Sequence, residues 1–168
     1  MTRKTSLAFA AACLLAGASA APSFAQAGKQ QANGHGQLDS ARQFSFSAQV
    51  RPNGTVTGNA TLVNPEFTGA NGHSPYQLQI DISCMHVVGN IAVFGGTTKR
   101  TNDPSLVDAV FFSVQDNGEP GAGKDKISRV FFWDDDPTTT GDPQACLLTG
   151  PNDFPLETIQ AGNIQVKN

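Results

Sequence analysis

The run QFSFSAQVR, residues 43–51, alternates apolar and polar side chains without a break: Phe44, Phe46, Ala48 and Val50 fall on one face, Ser45, Ser47 and Gln49 on the other. A side-chain period of two belongs to an extended strand with one buried face. The same period returns in TVTGNATLV (residues 55–63) and in YQLQIDISCMHVV (residues 76–88). Asn53-Gly54 separates the first two runs and Gly89-Asn90 follows the third, and both dipeptides supply the positive backbone angles of tight hairpin turns. Two hairpins are therefore predicted, 43–51 with 55–63 and 76–88 with 91–98. In the second, Leu78, Ile80, Ile82 and Cys84 share a face that His86 continues.

A third hairpin is predicted from residues 106–115 and 127–133, joined by a glycine-rich loop. Here Val110, Phe112 and Val114 oppose Ala109 and Phe111, while Phe131 and Trp133 oppose Val130 and Phe132, so both faces are apolar. A strand pair of that kind needs cover on each side, from a second sheet, a loop or another chain. GNIQVKN at the C-terminus reads as a last short strand, and no segment has a helical period. About seven to nine short strands without helices define an all-β, antiparallel, β-sandwich-like domain, with a small β-barrel as the alternative. Residues 41–168 are assigned to this single domain. The polar, glycine-bearing residues 26–40 before it are expected to be a flexible lead-in.

The first 25 residues read as an export signal: Arg3 and Lys4, the apolar SLAFAAACLLAGA, then small-residue cleavage patterns ending at Ala20 and Ala25. The apolar run falls short of the roughly 20 residues of a membrane span, and nothing downstream is longer. Export into the periplasm or the medium is expected, with cleavage after Ala25 or, alternatively, Ala20. Without the signal the chain keeps nine basic and all fourteen acidic residues, a formal charge of −5 with no Lys/Arg cluster, which argues against nucleic acid as a partner. Cys13 leaves with the signal, and Cys84 and Cys146 remain in an oxidising compartment, where they are expected to pair. Two separate thiols are the alternative.

The segments FSFSAQVRPNGTVTGNATL, DISCMHVVGNIAVFGG, FFSVQDNGEPGAGKDKIS and GNIQV together resemble the post-COAP domain, a family of small exported bacterial domains, over about residues 34–167. The resemblance implies an extracytoplasmic all-β module and transfers no catalytic residues.

Two patterns invite a functional reading. Asp116, Asn117, Glu119 and Asp125, in SVQDNGEPGAGKDKIS, could supply oxygen ligands to a calcium ion, although the spacing departs from an EF-hand loop and Lys124 and Lys126 flank Asp125. The competing expectation is a hairpin loop whose aspartates stay in water, with the acidic run Asp134–Asp136 at the other end of the hairpin. No cofactor is otherwise implied. The second pattern is aromatic: Phe112, Phe132, Trp133 and Tyr76 are core or, alternatively, an exposed platform for a protein, a glycan or a second copy of the chain. His35, His73 and His86 belong to no recognisable catalytic motif: there is no G-x-S-x-G, H-E-x-x-H, C-x-x-C or P-loop pattern. The expected function is a non-catalytic structural or interaction module. The alternatives are a small-molecule or lipid-binding barrel, marked by a cavity of about 300 Å³ or more, and a hydrolase with a loop-built site.

Overall fold

A computed structural model describes residues 29–39, 41–65, 72, 76–103, 106, 108–133 and 140–168. The expected signal sequence, with both cleavage positions, His73 and Asp134–Asp136 lie outside the described residues. The chain is all-β. Its strands are β1 (Gln31–Leu38), β2 (Arg42–Val50), β3 (Val56–Asn64), β4 (Tyr76–Val88), β5 (Ile91–Thr101), β6 (Ala109–Gln115), β7 (Lys126–Ser128), β8 (Phe131–Phe132), β9 (Leu156–Thr158) and β10 (Ala161–Lys167). All pairings are antiparallel, in the order β10-β1-β2-β3-β4-β5-β6-β7-β9, with β8 also on β6. The strands form one antiparallel sheet curled into a half-barrel, as the all-β reading of the sequence expects. Consecutive strands β9 and β10 lie at opposite ends of that order, so residues 156–167 pass from one sheet margin to the other. Gln160 N donates to Gln37 O (2.8 Å) at the crossing.

The three predicted hairpins are β2–β3, β4–β5 and β6 with β7 and β8. Inside the curl, Phe46, Phe94 and Phe112 pack at ring-centroid separations of 4.7–6.1 Å, surrounded by Leu78, Ile80 and Val110. Burial of these side chains is the main stabilising term of the fold.

The lead-in expected at 26–40 is corrected by β1. Residues 31–38 pair with β2 on one side and β10 on the other. Ala32, Gly34 and Leu38 are buried, and a Cβ on Gly34 would sit 2.7 Å from the Phe46 ring. The glycines leave room for Phe44 and Phe46 to lean over β1, so the strand's inward side chains are supplied largely by its neighbour.

Residues 84–88 also present the opposite faces to those their alternation predicts. The β4–β5 register shifts between Ile82 and Cys84, a bulge at Ser83. Beyond it Met85 and Val87 join the interior cluster, while Cys84 joins Val93, Ala109, Phe111 and Cys146 in a separate cluster outside the sheet. This cluster is the cover that the two-sided hairpin required. A 3-10 helix (Pro143–Leu148), capped by Asp142 accepting from Gln144 N, lies over it. Its close approach depends on Gly95, where a Cβ would stand 2.0 Å from Pro143 O. Asp108 fastens the start of this flap by accepting from Gly141 N (2.8 Å), and Gln144 Nε2 donates to Ser83 O (3.1 Å).

Cys84 and Cys146 are at disulfide distance, with Cα atoms 6.2 Å apart at a sequence separation of 62. A link closing a loop of that length restricts the unfolded chain by about 4 kcal/mol in the chain-entropy model. The unreduced, denatured protein is therefore expected to show no reactive thiol at Cys84 or Cys146, and Cys146→Ser to lower unfolding free energy by about 2–5 kcal/mol. Stoichiometric labelling of both cysteines without reductant would contradict the pairing.

Candidate functional site

The oxygen-rich loop between β6 and β7 comes together around the β10 margin. Asp125 is fully buried: Oδ1 accepts from Asn117 N (2.8 Å) and Oδ2 from Ile164 N (2.8 Å). Asp116 Oδ2 accepts from Val166 N (3.0 Å) and Oδ1 from Gly118 N (2.9 Å). Glu119 Oε1 takes Asn163 Nδ2 (2.7 Å) and Gln165 Nε2 (3.3 Å), and Asn117 Nδ2 donates to Lys124 O (2.8 Å). Ile164 and Val166 lie on the margin of β10 away from β1, where backbone N–H groups have no strand partner. The carboxylates serve as that partner. Asp116, Asp125 and Glu119 Oε1 thus accept from N–H donors, as does Asn117 Oδ1 from Asn90 Nδ2 (3.1 Å), and no group of three His, Cys, Asp or Glu side chains among the described residues is arranged to hold a metal. Nor are Asp116 and Asp125 the solvated loop residues of the competing expectation: they seam the half-barrel shut along β10.

The same curl leaves a cleft at one end. Opposite β6, residues 128–130 span an interval that Phe112 and Ser113 fill on the partner strand, an extra residue that bulges the chain. Ser128 holds the bulge, its Oγ accepting from Ser113 N (2.9 Å) and donating to Arg129 O (2.7 Å). The bulge turns Arg129 and Val130 toward the mouth. There a cleft of about 580 Å³ is walled by Phe44, Leu62, Tyr76, Leu106, Val130 and Phe132. Asp39, Arg42 and Arg129 stand among its polar residues.

Those charged groups form a network with Glu157. Arg42 grips Glu157 through Nη1–Oε1 (3.1 Å) and Nη2–Oε2 (2.6 Å), and turns Nε (3.0 Å) and Nη2 (2.5 Å) to Asp39 Oδ2. Arg129 Nε donates to Glu157 Oε1 (3.1 Å). The Arg42 hydrogen bonds hold both carboxyls below the usual range, and in return Glu157, then Asp39, raises Arg42. Burial, with a smaller contribution from Asp103, pushes the Tyr76 phenol up and keeps it neutral at physiological pH. Because the folded Glu157 pKa is depressed, its stabilisation is complete above the unfolded value of 4.5 and is lost as pH falls through the lower folded value. Melting temperature is therefore expected to drop below about pH 4.5 more steeply in the wild type than in Glu157→Gln, a pair contribution of about 1 kcal/mol in this partly exposed setting.

Of the aromatic residues singled out in sequence, Tyr76 and Phe132 meet in this cleft. Phe112 is interior, and Trp133 stands on the opposite face, 50% exposed and 6.0 Å from the Phe111 ring. A single platform of Tyr76 with Trp133 is not formed. His35 lies exposed on β1, and the bulge at Ser83 places His86 on the outer face, where its Nδ1 has no hydrogen-bond partner among the described residues. Arg42, Arg129 and Glu157 carried no sequence signal, since 115 residues separate Arg42 from Glu157.

The fold and site together define an antiparallel half-barrel, seamed by carboxylates and open at one end to an apolar cleft. No family model, curated protein or solved structure matches the chain. No helix among the described residues is long and apolar enough to cross a membrane.

Proposed function

We propose that the protein is an exported, non-catalytic β-module that acts by binding, and that the mouth cleft receives a small apolar molecule. The observation that carries this reading is the cleft itself: about 580 Å³, lined largely by apolar and aromatic side chains, within the range of small-ligand sites. It favours the binding-barrel alternative over a purely structural role. The charged groups beside it are engaged with one another in the Arg42 network, which suits orientation of a ligand more than proton transfer. Export is supported by the signal-like N-terminus and the disulfide, and affiliation with post-COAP domains by the strand-and-turn pattern.

The uncharged fluorescent probe phenylnaphthylamine tests the reading. It is expected to bind saturably, and Phe132→Asp is expected to weaken it at least tenfold, in line with loss of one buried aromatic contact and desolvation of a charge. Leu148→Asp, on the flap, is expected to leave it unchanged. No saturable signal, or equal binding by Phe132→Asp, would overturn the proposal. A separate surface favours the interaction reading: Leu147 and Leu148 are 56% and 89% exposed at the end of the 3-10 helix. If that surface joins two copies, Leu148→Asp lowers the hydrodynamic radius.

A further inference from the structure

The cleft contains two guanidinium groups in different states. Arg42 has Nε, Nη1 and Nη2 all engaged with Asp39 and Glu157. Arg129 is held only through Nε, which donates to Glu157 Oε1, and its side chain is 73% exposed. Its two terminal nitrogens have no partner among the described residues. The post to which it is tied is itself fixed, because Arg42 clamps both oxygens of Glu157. A guanidinium anchored by one edge presents its Nη pair as a preoriented fork, a geometry that matches the two oxygens of a carboxylate. Beside that fork are Val130, one residue along the chain, and the apolar walls with Phe132 and Tyr76.

We infer that the mouth cleft takes a single-chain amphipathic carboxylate, with its apolar body against Tyr76, Val130 and Phe132 and its head group on the terminal nitrogens of Arg129. The inference rests on the binding reading above and names its ligand class. Two consequences follow from the chemistry. Affinity rises with chain length, roughly fourfold for each methylene that the cleft buries. It also depends on the charged head, by about tenfold or more for a charge-assisted bidentate pair shielded on one side by the cleft.

Calorimetric titration of the full, disulfide-intact protein with decanoate and with decanol tests both consequences, alongside cosedimentation with anionic phospholipid vesicles. Decanoate is expected to bind at least tenfold more tightly than decanol, octanoate more weakly than decanoate, and Arg129→Gln to bring decanoate down to decanol. The high exposure of Arg129 makes that variant a mild one for folding, which its melting curve checks. Equal affinities for decanoate and decanol, or an unchanged ratio in Arg129→Gln, would overturn the inference while leaving an apolar site. Failure of both compounds where phenylnaphthylamine binds would overturn the ligand class alone, and failure of all three would remove the binding reading as well. Arg129-dependent vesicle binding without binding of monomeric decanoate would overturn it in favour of a membrane surface.

Discussion

Asp125→Ala is expected to lower the free energy of unfolding by about 3–6 kcal/mol, since hydrogen bonds to a charged partner contribute roughly 1.5–3 kcal/mol each and the carboxylate accepts two, one from a buried N–H and one from a partly buried N–H. The donors are Asn117 N, which fixes the loop, and Ile164 N, which lies on the margin of β10. No further strand among the described residues pairs with that margin, so the carboxylate stands in for a ladder partner. Asp125→Asn keeps one acceptor and turns an N–H donor at the other site, and an intermediate loss follows. Asp116→Ala removes a partly buried bond to Val166 N and an exposed one to Gly118 N, and is expected to cost least, about 1–2 kcal/mol. Urea unfolding of the three variants gives the order directly. If Asp125→Ala unfolds at the wild-type midpoint, the carboxylates do not close the half-barrel.

The second large effect lies in the interior. Phe112 is 1% exposed and its ring lies 4.7 Å from Phe94 and 6.1 Å from Phe46, so three aromatic rings from β2, β5 and β6 meet across the curl. Phe112→Ala is expected to cost about 3–5 kcal/mol, by lost transfer energy and by the cavity left behind. Phe112→Asp would place a charge in that cavity and is expected to prevent folding. Trp133→Ala, removing a half-exposed ring from the outer face, is expected to cost about 1 kcal/mol. Near-equal losses for Phe112→Ala and Trp133→Ala would contradict the assignment of Phe112 to the core. Thermal or urea unfolding distinguishes the two.

What could be read from sequence was whatever depends on neighbours along the chain. Alternation and turn dipeptides located β2 through β5, because a half-buried strand writes its two faces into every second residue, while the two-sided apolar run located β6. The strand β1 escaped because its inward positions include Gly34 and Gly36, whose burial comes from the Phe46 and Phe44 rings of the next strand. A pattern of small residues at 32, 34 and 36 against polar ones at 33, 35 and 37 is the signal that was present. The bulge at Ser83 reversed the faces of Cys84 and His86, and an inserted residue leaves no mark on a period of two until pairing is known. The least legible features join distant residues. Asp125 and Ile164 are 39 positions apart, Asp116 and Val166 are 50 apart, and the Arg42–Glu157 pair spans 115. Composition placed oxygen donors in the loop, and only the curl of the sheet shows that they face backbone N–H groups. In the same way Tyr76 and Phe132 were visible as aromatics worth attention, while the cleft that unites them depends on the bulge at residues 128–130.

Methyl-resolved NMR during titration with phenylnaphthylamine shows whether the open end of the half-barrel binds an apolar molecule. Leu62, Leu106 and Val130 line the mouth, whereas Leu147 and Leu148 stand exposed on the flap. Saturable shifts at Leu62, Leu106 and Val130, with Leu147 and Leu148 unmoved, are the result expected. Shifts confined to Leu147 and Leu148 would place binding on the flap and contradict the account.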